Sequence, residues 1–549
     1  MPLTRSPRFT LALAAMAVTA AFVWGSDRLP FVDPDEGRYA EIAREMLDSG
    51  NWIVPKLYGV TYLEKPPLLY WLAAGAFHLF GLSEIAARIV PAACAAIGVA
   101  VTGYAAGAIF GAEVGILALS ILATSALYFT LAHALVTDVP FTSALTIALF
   151  AYLLVEARKI RRALGYVLFW LGLAIATLAK GPAAILLAGV TIGTQALCFR
   201  STRRLFDGAL WALCPIFFLI VVPWFWLAQR AEPDFLSFYL FKEHLARIAG
   251  REHARPFYWY VPWLLLGFLP WTPRTLVALW RRPDGWPSRL DRPLLGFLLI
   301  WVLAVFGLFS LAGGKLVTYI LPCFPPLAVL SACVLRAETA ARPERGGPPG
   351  ARVETLVYVC ILIATVGGSL AAPLPPSATA TIAGAAALCS LITFAWRRKP
   401  LSHSIAASVV AVMLFYGAVL GSASAILDGL TATGQIQSLR AAIRPEDEVI
   451  LYRSHLPSVA FYTARYPYLV GCGGELEFGM HGKFGGRRLR TLEDLQPIVT
   501  KEDKRFYCLL PNRRSLLEAI ARVFPERRVI AVNPGSATVL LHEPKASDP

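Results

Sequence analysis

Long apolar stretches separated by short polar segments run through the first 430 residues of the chain. Stretches of about 18 or more apolar residues are typical of membrane-spanning helices, because a helix satisfies its own backbone hydrogen bonds across about 30 Å of hydrocarbon. The pattern predicts thirteen spans, near residues 9–29, 84–110, 112–131, 138–156, 164–180, 182–199, 207–228, 257–279, 293–313, 315–336, 353–372, 377–396 and 402–427. We interpret the first as an uncleaved anchor rather than a signal peptide, because no small-residue cleavage site follows Trp24.

The pattern changes after about residue 430. Apolar runs shorten to EVILY, YPYLV, RFYCLLP, RRVIAV and ATVLL, and helical patterns such as LRAAIR and SLLEAIARVF separate them. Short strands alternating with helices predict a soluble α/β domain. The fold class is therefore a polytopic α-helical membrane protein, with a transmembrane domain at 1–430 and an α/β domain at 431–549.

Composition supports this division. Hydrophobic residues make up 56% of the chain and charged residues only 16%, which excludes a cytosolic enzyme. The excess of 51 basic over 36 acidic residues is not by itself a nucleic-acid signature in a membrane protein, so lipids are expected as partners and nucleic acid is not. Two cysteines, Cys472 and Cys508, lie in the polar C-terminal part, where their spacing leaves a disulfide open.

Basic residues indicate the orientation of the spans. Lys and Arg concentrate in cytoplasmic loops of membrane proteins. The basic clusters at 5–8, 158–162, 200–204, 281–292, 336–352 and 397–399 all fall on the side of the N-terminus, while the short opposite loops carry only Lys180 and Lys315. This distribution predicts a cytoplasmic N-terminus and an outer C-terminal domain.

Two predicted outer loops are long, at about 30–83 and about 229–256, and long loops in compact proteins are usually functional. The first contains EGRYAEIAREMLDSG, whose apolar residues recur at helical spacing and predict an interfacial helix. Ionisable residues at membrane depth are functional candidates, although side chains at helix ends also reach water cheaply. The candidates at the outer ends of spans are Asp33, Asp35, Glu36, Glu64, Lys65, Asp138, Lys180, Glu243, His244, Arg247, Arg251, Glu252, His253, Arg255, Lys315 and Tyr319.

Each candidate also has a structural interpretation. In FVDPDEGRYAEIA, Asp35 is predicted to cap a helix that carries Arg38 and Tyr39 one turn later, and capping alone would explain it. Asp138 opens a span, where a buried carboxylate requires a cation or a metal unless it too is a cap. Glu64 and His244 are candidate ligands for a divalent metal such as zinc or magnesium, against the alternative of a structural histidine.

A site on the outer face implies a particular donor. ATP and nucleotide sugars are not expected there, so no nucleotide cofactor is expected, and the energy for a reaction has to arrive in a membrane-borne molecule. A lipid-linked sugar phosphate meets this requirement. Its leaving phosphate requires cations, for which the candidates are Arg38, Lys65, Arg247 and Lys315.

The chain resembles GT-C glycosyltransferases that use polyprenyl phosphate sugars, and most closely the bacterial 4-amino-4-deoxy-L-arabinose lipid A transferase family. The resemblance extends over nearly the whole chain. It rests on PDE-x-RYAEI-x-REM at 34–46, YLEKPPL at 62–68, an acid opening a span at Asp138, AKGP at 179–182, EH-x-x-R at 243–247 and K-x-x-x-Y-x-x-P at 315–322.

The resemblance implies a GT-C fold with about thirteen spans in the bacterial inner membrane and a periplasmic C-terminal domain. It implies undecaprenyl phosphate aminoarabinose as donor, a lipid A phosphate as acceptor, and resistance to polymyxin and other cationic peptides. Carried over residue by residue, Asp35 with Glu36 and Asp138 match the catalytic acids, whereas Asp33 has no counterpart. The substrate-binding candidates are Arg38, Tyr39, Tyr62, Lys65, Arg247, Lys315 and Tyr319.

Two alternatives stay open at this point. A relative with the same scaffold would transfer mannose or another sugar to a protein or a different lipid. A lipid-linked sugar flippase is a more distant alternative, because transporters place ionisable groups near the bilayer midplane, whereas those of this chain gather at one face.

Overall fold

The computed structural model describes most of the chain. The described residues are 18–199, 206–245, 255–281, 292–341, 350–371, 375–472, 476–480, 486–502, 504–533 and 535–543.

The chain forms two compact units, each built from two separate segments. The first consists of Met1–Ser26 and Arg88–Val419, and the second of Asp27–Ala87 and Leu420–Pro549. The outer-loop segment thus belongs to the same unit as the C-terminal residues. Hydrophobic periodicity does not predict this grouping, because it records local burial and not which distant segments pack together.

Nine helices among the described residues are long and apolar enough to cross a bilayer. They coincide with nine of the thirteen predicted spans. These helices are Glu84–Phe110, Asp138–Glu156, Arg162–Lys180, Gly208–Ala231, Arg292–Leu311, Val317–Ala341, Ala351–Gly368, Pro376–Trp396 and Leu401–Leu427.

The other four predicted spans differ, so the count of thirteen is not confirmed. The span near 112–131 is a pair of helices, Ala112–Thr124 and Ala126–Ala132, with a 64° bend. The span near 257–279 is likewise divided, into Tyr260–Gly267 and Trp271–Trp280. Ala183–Cys198 has 16 residues, fewer than the roughly 20 that cross a bilayer without tilt. Most of the first predicted span lies outside the described residues.

The two interrupted spans are bonded to each other where they break. The backbone N–H of Ala126 donates to the carbonyl of Leu269 over 3.0 Å, and the indole N–H of Trp271 donates to the Thr124 hydroxyl over 2.8 Å. Pro270 prevents a continuous helix, since it lacks an N–H and restricts the residue before it. Unpaired backbone groups are costly in hydrocarbon, so each break supplies partners to the other.

A buried ion pair connects three helices of the first unit. Arg274 on Trp271–Trp280 pairs with Glu354 on Ala351–Ala371, and both side chains have an exposed fraction of 1% or less. Arg274 Nη2 also donates to the hydroxyls of Ser404 and Ser408, over 3.0 and 2.7 Å. Arg274 therefore meets one carboxylate and two hydroxyls inside an otherwise apolar bundle.

The outer-loop segment of the second unit begins with the helix Asp35–Ser49, which we call the loop helix. A two-stranded hairpin follows, with β1 at Lys56–Leu57 and β2 at Val60–Thr61, and then the helix Leu68–Phe80. The sequence correctly predicts the loop helix, but an amphipathic interfacial helix would leave its polar face in water. Instead, residues 36–46 are buried on all sides. Its charged residues have protein partners, as in the pair of Arg44 with Glu41.

The C-terminal part of the second unit is a six-stranded mixed sheet with the order β5-β4-β3-β6-β8-β7. Strands β3–β6 are parallel, and β8 pairs antiparallel with β6 and β7. The strands are β3 Glu448–Tyr452, β4 Tyr468–Val470, β5 Arg488–Leu489, β6 Phe506–Pro511, β7 Arg528–Val532 and β8 Ser536–His542. The helices are Thr433–Ala442, Ser458–Thr463, Glu477–Met480, Gln496–Lys501 and Arg514–Val523.

All five strands predicted from apolar runs are present, which confirms an α/β domain. The sequence misses β5, because a strand of two residues has no detectable alternation. Cys472 and Cys508 are both free. Cys508 lies in the apolar core of the sheet, while the Cys472 thiol faces the carbonyls of Leu451 and Ser454.

We expect Glu354→Ala to destabilise the protein by about 3 kcal/mol, because it leaves the buried Arg274 guanidinium without its carboxylate. Thermal unfolding of the purified protein measures this change. Glu113→Ala is the matched control, since Glu113 pairs with Arg336 but is 69% exposed, and such surface pairs contribute about 1 kcal/mol or less. Equal losses in the two variants would contradict the interpretation.

Candidate active site

The loop helix begins at Asp35, with Pro34 in the capping position. The prediction that Asp35 caps this helix is therefore wrong by one position. Proline has no side-chain acceptor, so the first turn has no side-chain cap. The Glu36 carboxylate reaches back instead and accepts from the Val32 N–H over 3.0 Å. The Asp35 side chain is 53% exposed and pairs with Arg38 over 2.6 Å.

Arg38 is the centre of a polar cluster in the second unit. Its side chain is buried, with an exposed fraction of 5%. Its Nη1 donates to the Tyr62 hydroxyl over 3.0 Å, and that hydroxyl donates to the Glu64 carboxylate over 3.1 Å. The rings of Tyr39 and Tyr62 lie 5.4 and 5.9 Å from the guanidinium carbon. The structure thus brings together five of the predicted site residues from two chain segments.

The electrostatics keep this guanidinium charged. Burial acts to lower the pKa of Arg38, but the surrounding oxygens of Tyr62, Tyr39, Asp35 and Glu64 raise it above its ordinary value. A buried arginine with a half-exposed carboxylate partner is suited to bind an anion, because phosphate accepts the same forked hydrogen bonds as a carboxylate.

Lys65 follows Glu64 at the edge of this cluster. Its ammonium donates to the Glu64 backbone carbonyl over 3.3 Å, and its side chain is half-buried. The predicted role of Lys65 as a phosphate contact stays a prediction.

A second polar cluster lies in the first unit. The Asp138 carboxylate at the start of the helix Asp138–Glu156 pairs with Lys180 at the end of Arg162–Lys180. The Lys180 ammonium also lies 4.1 Å from the centre of the Tyr319 ring and 5.7 Å from that of Phe141. The requirement that a buried Asp138 find a cation is therefore met by Lys180.

Lys315 is buried near the start of the helix Val317–Ala341, but its ammonium is held by the backbone. It donates to the carbonyls of Arg255, over 3.1 Å, and Ala312. These contacts hold the chain at Gly313–Gly314, and Lys315 would have to give them up to bind a phosphate.

The metal prediction gains no support from the described part of the chain, where no three His, Cys, Asp or Glu side chains are grouped to hold an ion. Glu64 faces the Tyr62 hydroxyl and the positive field of Arg38, which is unfavourable for a second cation. The side chain of His244 and the whole of Arg247 lie outside the described residues.

Sequence reasoning missed a contact of Asp33. The Ser458 N–H donates to Asp33 Oδ1 over 2.9 Å, and the Ser458 hydroxyl donates to Oδ2. Burial raises the pKa of Asp33 to about 7 against the effect of both hydrogen bonds; Glu36 raises it further and Arg38 lowers it. No sequence signal points to Ser458, because the two residues are 425 positions apart.

The fold matches that of a solved glycosyltransferase. The chain superposes on the crystal structure of ArnT from Cupriavidus metallidurans bound to undecaprenyl phosphate with a TM-score of 0.82, at 24% identity over 99% of each chain. Residues 30–239 match the family model for dolichyl-phosphate-mannose-protein mannosyltransferases.

Proteins of similar sequence identify the family more specifically. An undecaprenyl phosphate-alpha-4-amino-4-deoxy-L-arabinose arabinosyl transferase of Edwardsiella ictaluri is 36% identical over 54% of each chain. The transferase of the same name from Shewanella sediminis is 30% identical over 81% of this chain and 83% of its own. The chain belongs to this aminoarabinose transferase family. Its alignments with the first relatives cover a little more than half of their length, and the GT-C fold expected from the sequence is confirmed.

In this member of the aminoarabinose transferase family, we expect Asp33→Asn to stabilise the protein at pH 8 more than at pH 5. An acid with a raised folded-state pKa holds its proton more tightly when folded. Its stabilising contribution is therefore complete below about pH 4 and is lost as the pH rises through about 7. Thermal unfolding at both pH values measures the difference. The exposed Glu446→Gln is the control, and an equal shift at both pH values would contradict the interpretation.

Proposed function

We propose that this chain transfers 4-amino-4-deoxy-L-arabinose from undecaprenyl phosphate to a phosphate of lipid A. Membership of the aminoarabinose transferase family supports the reaction class. The observation that carries the proposal is the cluster around Arg38, in which a buried, permanently charged guanidinium has a half-exposed carboxylate as its ion-pair partner.

The donor contains an anion that suits this cluster. Its phosphate is the leaving group, and negative charge develops on it as the glycosidic bond breaks. A buried guanidinium stabilises that charge more effectively than an exposed cation would, because the surrounding dielectric is lower. Tyr62 fixes Arg38 from one side and Tyr39 covers it from another, so little reorganisation is required when the phosphate binds.

The reaction we propose is a single inverting displacement. An oxygen of the lipid A phosphate attacks the anomeric carbon and forms the new carbon–oxygen bond, while the bond from that carbon to the undecaprenyl phosphate oxygen breaks. The electron pair of the broken bond leaves with undecaprenyl phosphate. A phosphate acceptor is already anionic near neutral pH, so no strong general base is required.

In this mechanism Asp35 orients the sugar. Its carboxylate is exposed enough to meet the substrate, and it lies one helical turn from Arg38. When the donor phosphate replaces Asp35 as the ion-pair partner of Arg38, the Asp35 carboxylate can pair with the ammonium of the sugar or with positive charge on the ring. We propose Asp138 as a second catalytic acid whose charge Lys180 balances until substrate binds.

The basic loops support a location for the reaction. The positive-inside distribution supports a cytoplasmic N-terminus in the bacterial inner membrane, and in this proposal the outer loops and the C-terminal domain lie in the periplasm. Adding an amine to an anionic lipid A phosphate reduces the negative charge that attracts cationic peptides such as polymyxin, and resistance to them follows.

A transferase that moves mannose is the second candidate, and the match of residues 30–239 to the mannosyltransferase model favours it. That match includes the loop helix and Arg38, and in our proposal these bind the phosphate part that both donors share. The sugar and the acceptor therefore distinguish the two candidates.

We expect this chain to add one aminopentose to lipid A in a bacterium that makes the donor but lacks its own transferase. Mass spectrometry of lipid A measures the gain. Asp35→Asn keeps the size of the side chain and removes its charge, so we expect at least a 100-fold lower yield. Asp48→Asn in the same helix is the control, since Asp48 is a similarly exposed partner of Arg44. Unmodified lipid A despite membrane expression would overturn the proposal in favour of another sugar or acceptor.

A further inference from the structure

The loop that follows β3 occupies a special position in the C-terminal sheet. Strand β3 pairs with β4 on one side and with β6 on the other, all in parallel. The chain adds β4 and β5 on one side of β3 and then β6 on its other side, so the strand order reverses between β3 and β6. In open α/β sheets, functional loops gather at the carboxyl ends of strands at such a point. Here that loop spans residues 453–457 and leads into the helix Ser458–Thr463.

The helix that follows this loop contacts the chain just before the loop helix. Asp33 accepts both hydrogen bonds of Ser458, one from the backbone over 2.9 Å and one from the hydroxyl. Both contacts lie within the second unit. The Asp33 carboxylate therefore holds the chain two residues before Asp35, where the loop helix begins.

Gly37 shows how close the contact is. A Cβ at this position would lie 2.2 Å from Asp33 Oδ1 and 2.5 Å from the Ser458 backbone nitrogen. Only glycine allows the two segments to approach this closely. The first turn of the loop helix is thus packed directly on the Asp33–Ser458 pair, and Arg38 is the next residue.

The same helix of the C-terminal domain holds the flanking residues of the outer loop. The Tyr462 hydroxyl accepts from the Phe31 N–H over 2.9 Å and donates to Glu84 over 2.9 Å. Burial lowers the pKa of His455 to about 4, and the positive charge of Arg38 contributes to this shift. Hydrogen bonds of Ser458 and Tyr462 therefore connect the helix Ser458–Thr463 to Phe31, Asp33 and Glu84, in and beside the segment that carries the candidate site.

We propose that Asp33 and Ser458 are positioning residues that fix the first turn of the loop helix, and with it Asp35 and Arg38, for binding the donor phosphate. The inference deepens the proposed function and depends on it. It gives the C-terminal domain a task in catalysis: the first residue of the helix after β3 sets the position of the phosphate-binding arginine.

The test uses the full-length purified protein with undecaprenyl phosphate aminoarabinose and lipid A. We expect Asp33→Ala and Ser458→Ala each to lower kcat by roughly 10- to 100-fold, because misplacement of a binding group by about 1 Å has an effect of this order. The KM for lipid A should stay unchanged. Exposed Glu446→Gln and Ser438→Ala in the same unit are the matched controls.

A double-mutant cycle separates positioning from general damage. If the two residues act through one contact, the double variant should be no slower than Asp33→Ala. Asp33→Asn should restore kcat to within about threefold of wild type, since its amide can accept from the Ser458 N–H and donate to the hydroxyl. Effects that multiply in the double variant, or an Asp33→Ala kcat equal to that of Glu446→Gln, would overturn the inference.

Gly37→Ala tests the same contact without changing either partner. Its methyl group would force Ser458 and the helix apart, so we expect a loss of kcat similar to that of Asp33→Ala. Gly75→Ala is the control, because a Cβ there meets nothing within 4 Å and alanine favours a helix. Normal kcat in Gly37→Ala would contradict close packing at this contact.

A binding measurement distinguishes failure of the inference from failure of the proposed function. Undecaprenyl phosphate alone is titrated into wild type, Asp33→Ala and Asp33→Asn, each checked for folding by thermal unfolding. We expect Kd to rise at least tenfold in Asp33→Ala and to recover in Asp33→Asn. If wild type transfers no aminoarabinose but shows this pattern, only the proposed sugar or acceptor is wrong. Equal Kd values in all three proteins would overturn the positioning role.

Discussion

Backbone polar groups have to be satisfied wherever the chain crosses hydrocarbon, and the architecture of the first unit depends on this constraint. Long helices meet it internally. Where a span is interrupted, at Ser125 and again at Leu269–Pro270, the two interruptions lie together and exchange a backbone hydrogen bond and a side-chain one. An irregular segment within an apolar bundle is therefore stable because another irregular segment supplies its partners.

The same reasoning applies to charged side chains. Arg274 and Glu354 are buried as a pair with two serine hydroxyls around them, and Asp138 is paired with Lys180. A buried pair of this kind contributes little net stability compared with apolar packing, but removing one partner is costly. The first pair is fully enclosed, while the residues of the second stand at helix ends and are about a tenth exposed.

The second unit gives the candidate site its rigidity. A short loop helix cannot hold an arginine in place by itself, because a helix of this length is marginal without tertiary contacts. The hairpin after it supplies Tyr62, which bonds Arg38, and the C-terminal domain supplies Ser458, which bonds Asp33. The helix is therefore held at the residue before its first turn by Ser458 and at Arg38 by Tyr62. In our proposal this reduces the entropy that Arg38 loses when the donor phosphate binds.

Local pattern determined much of this protein. The sequence predicts nine of the long apolar helices in the described part of the chain, five strands, the loop helix and the types of residue around Arg38. It does so because apolar periodicity and turn residues act over a few neighbouring positions. Tertiary structure alone decided the partners. Lys180 is 42 positions from Asp138, and Ser458 is 425 positions from Asp33. The packing of distant segments therefore selects the polar group that pairs with each buried charge. Packing also decided that the outer loop joins the C-terminal domain in one unit.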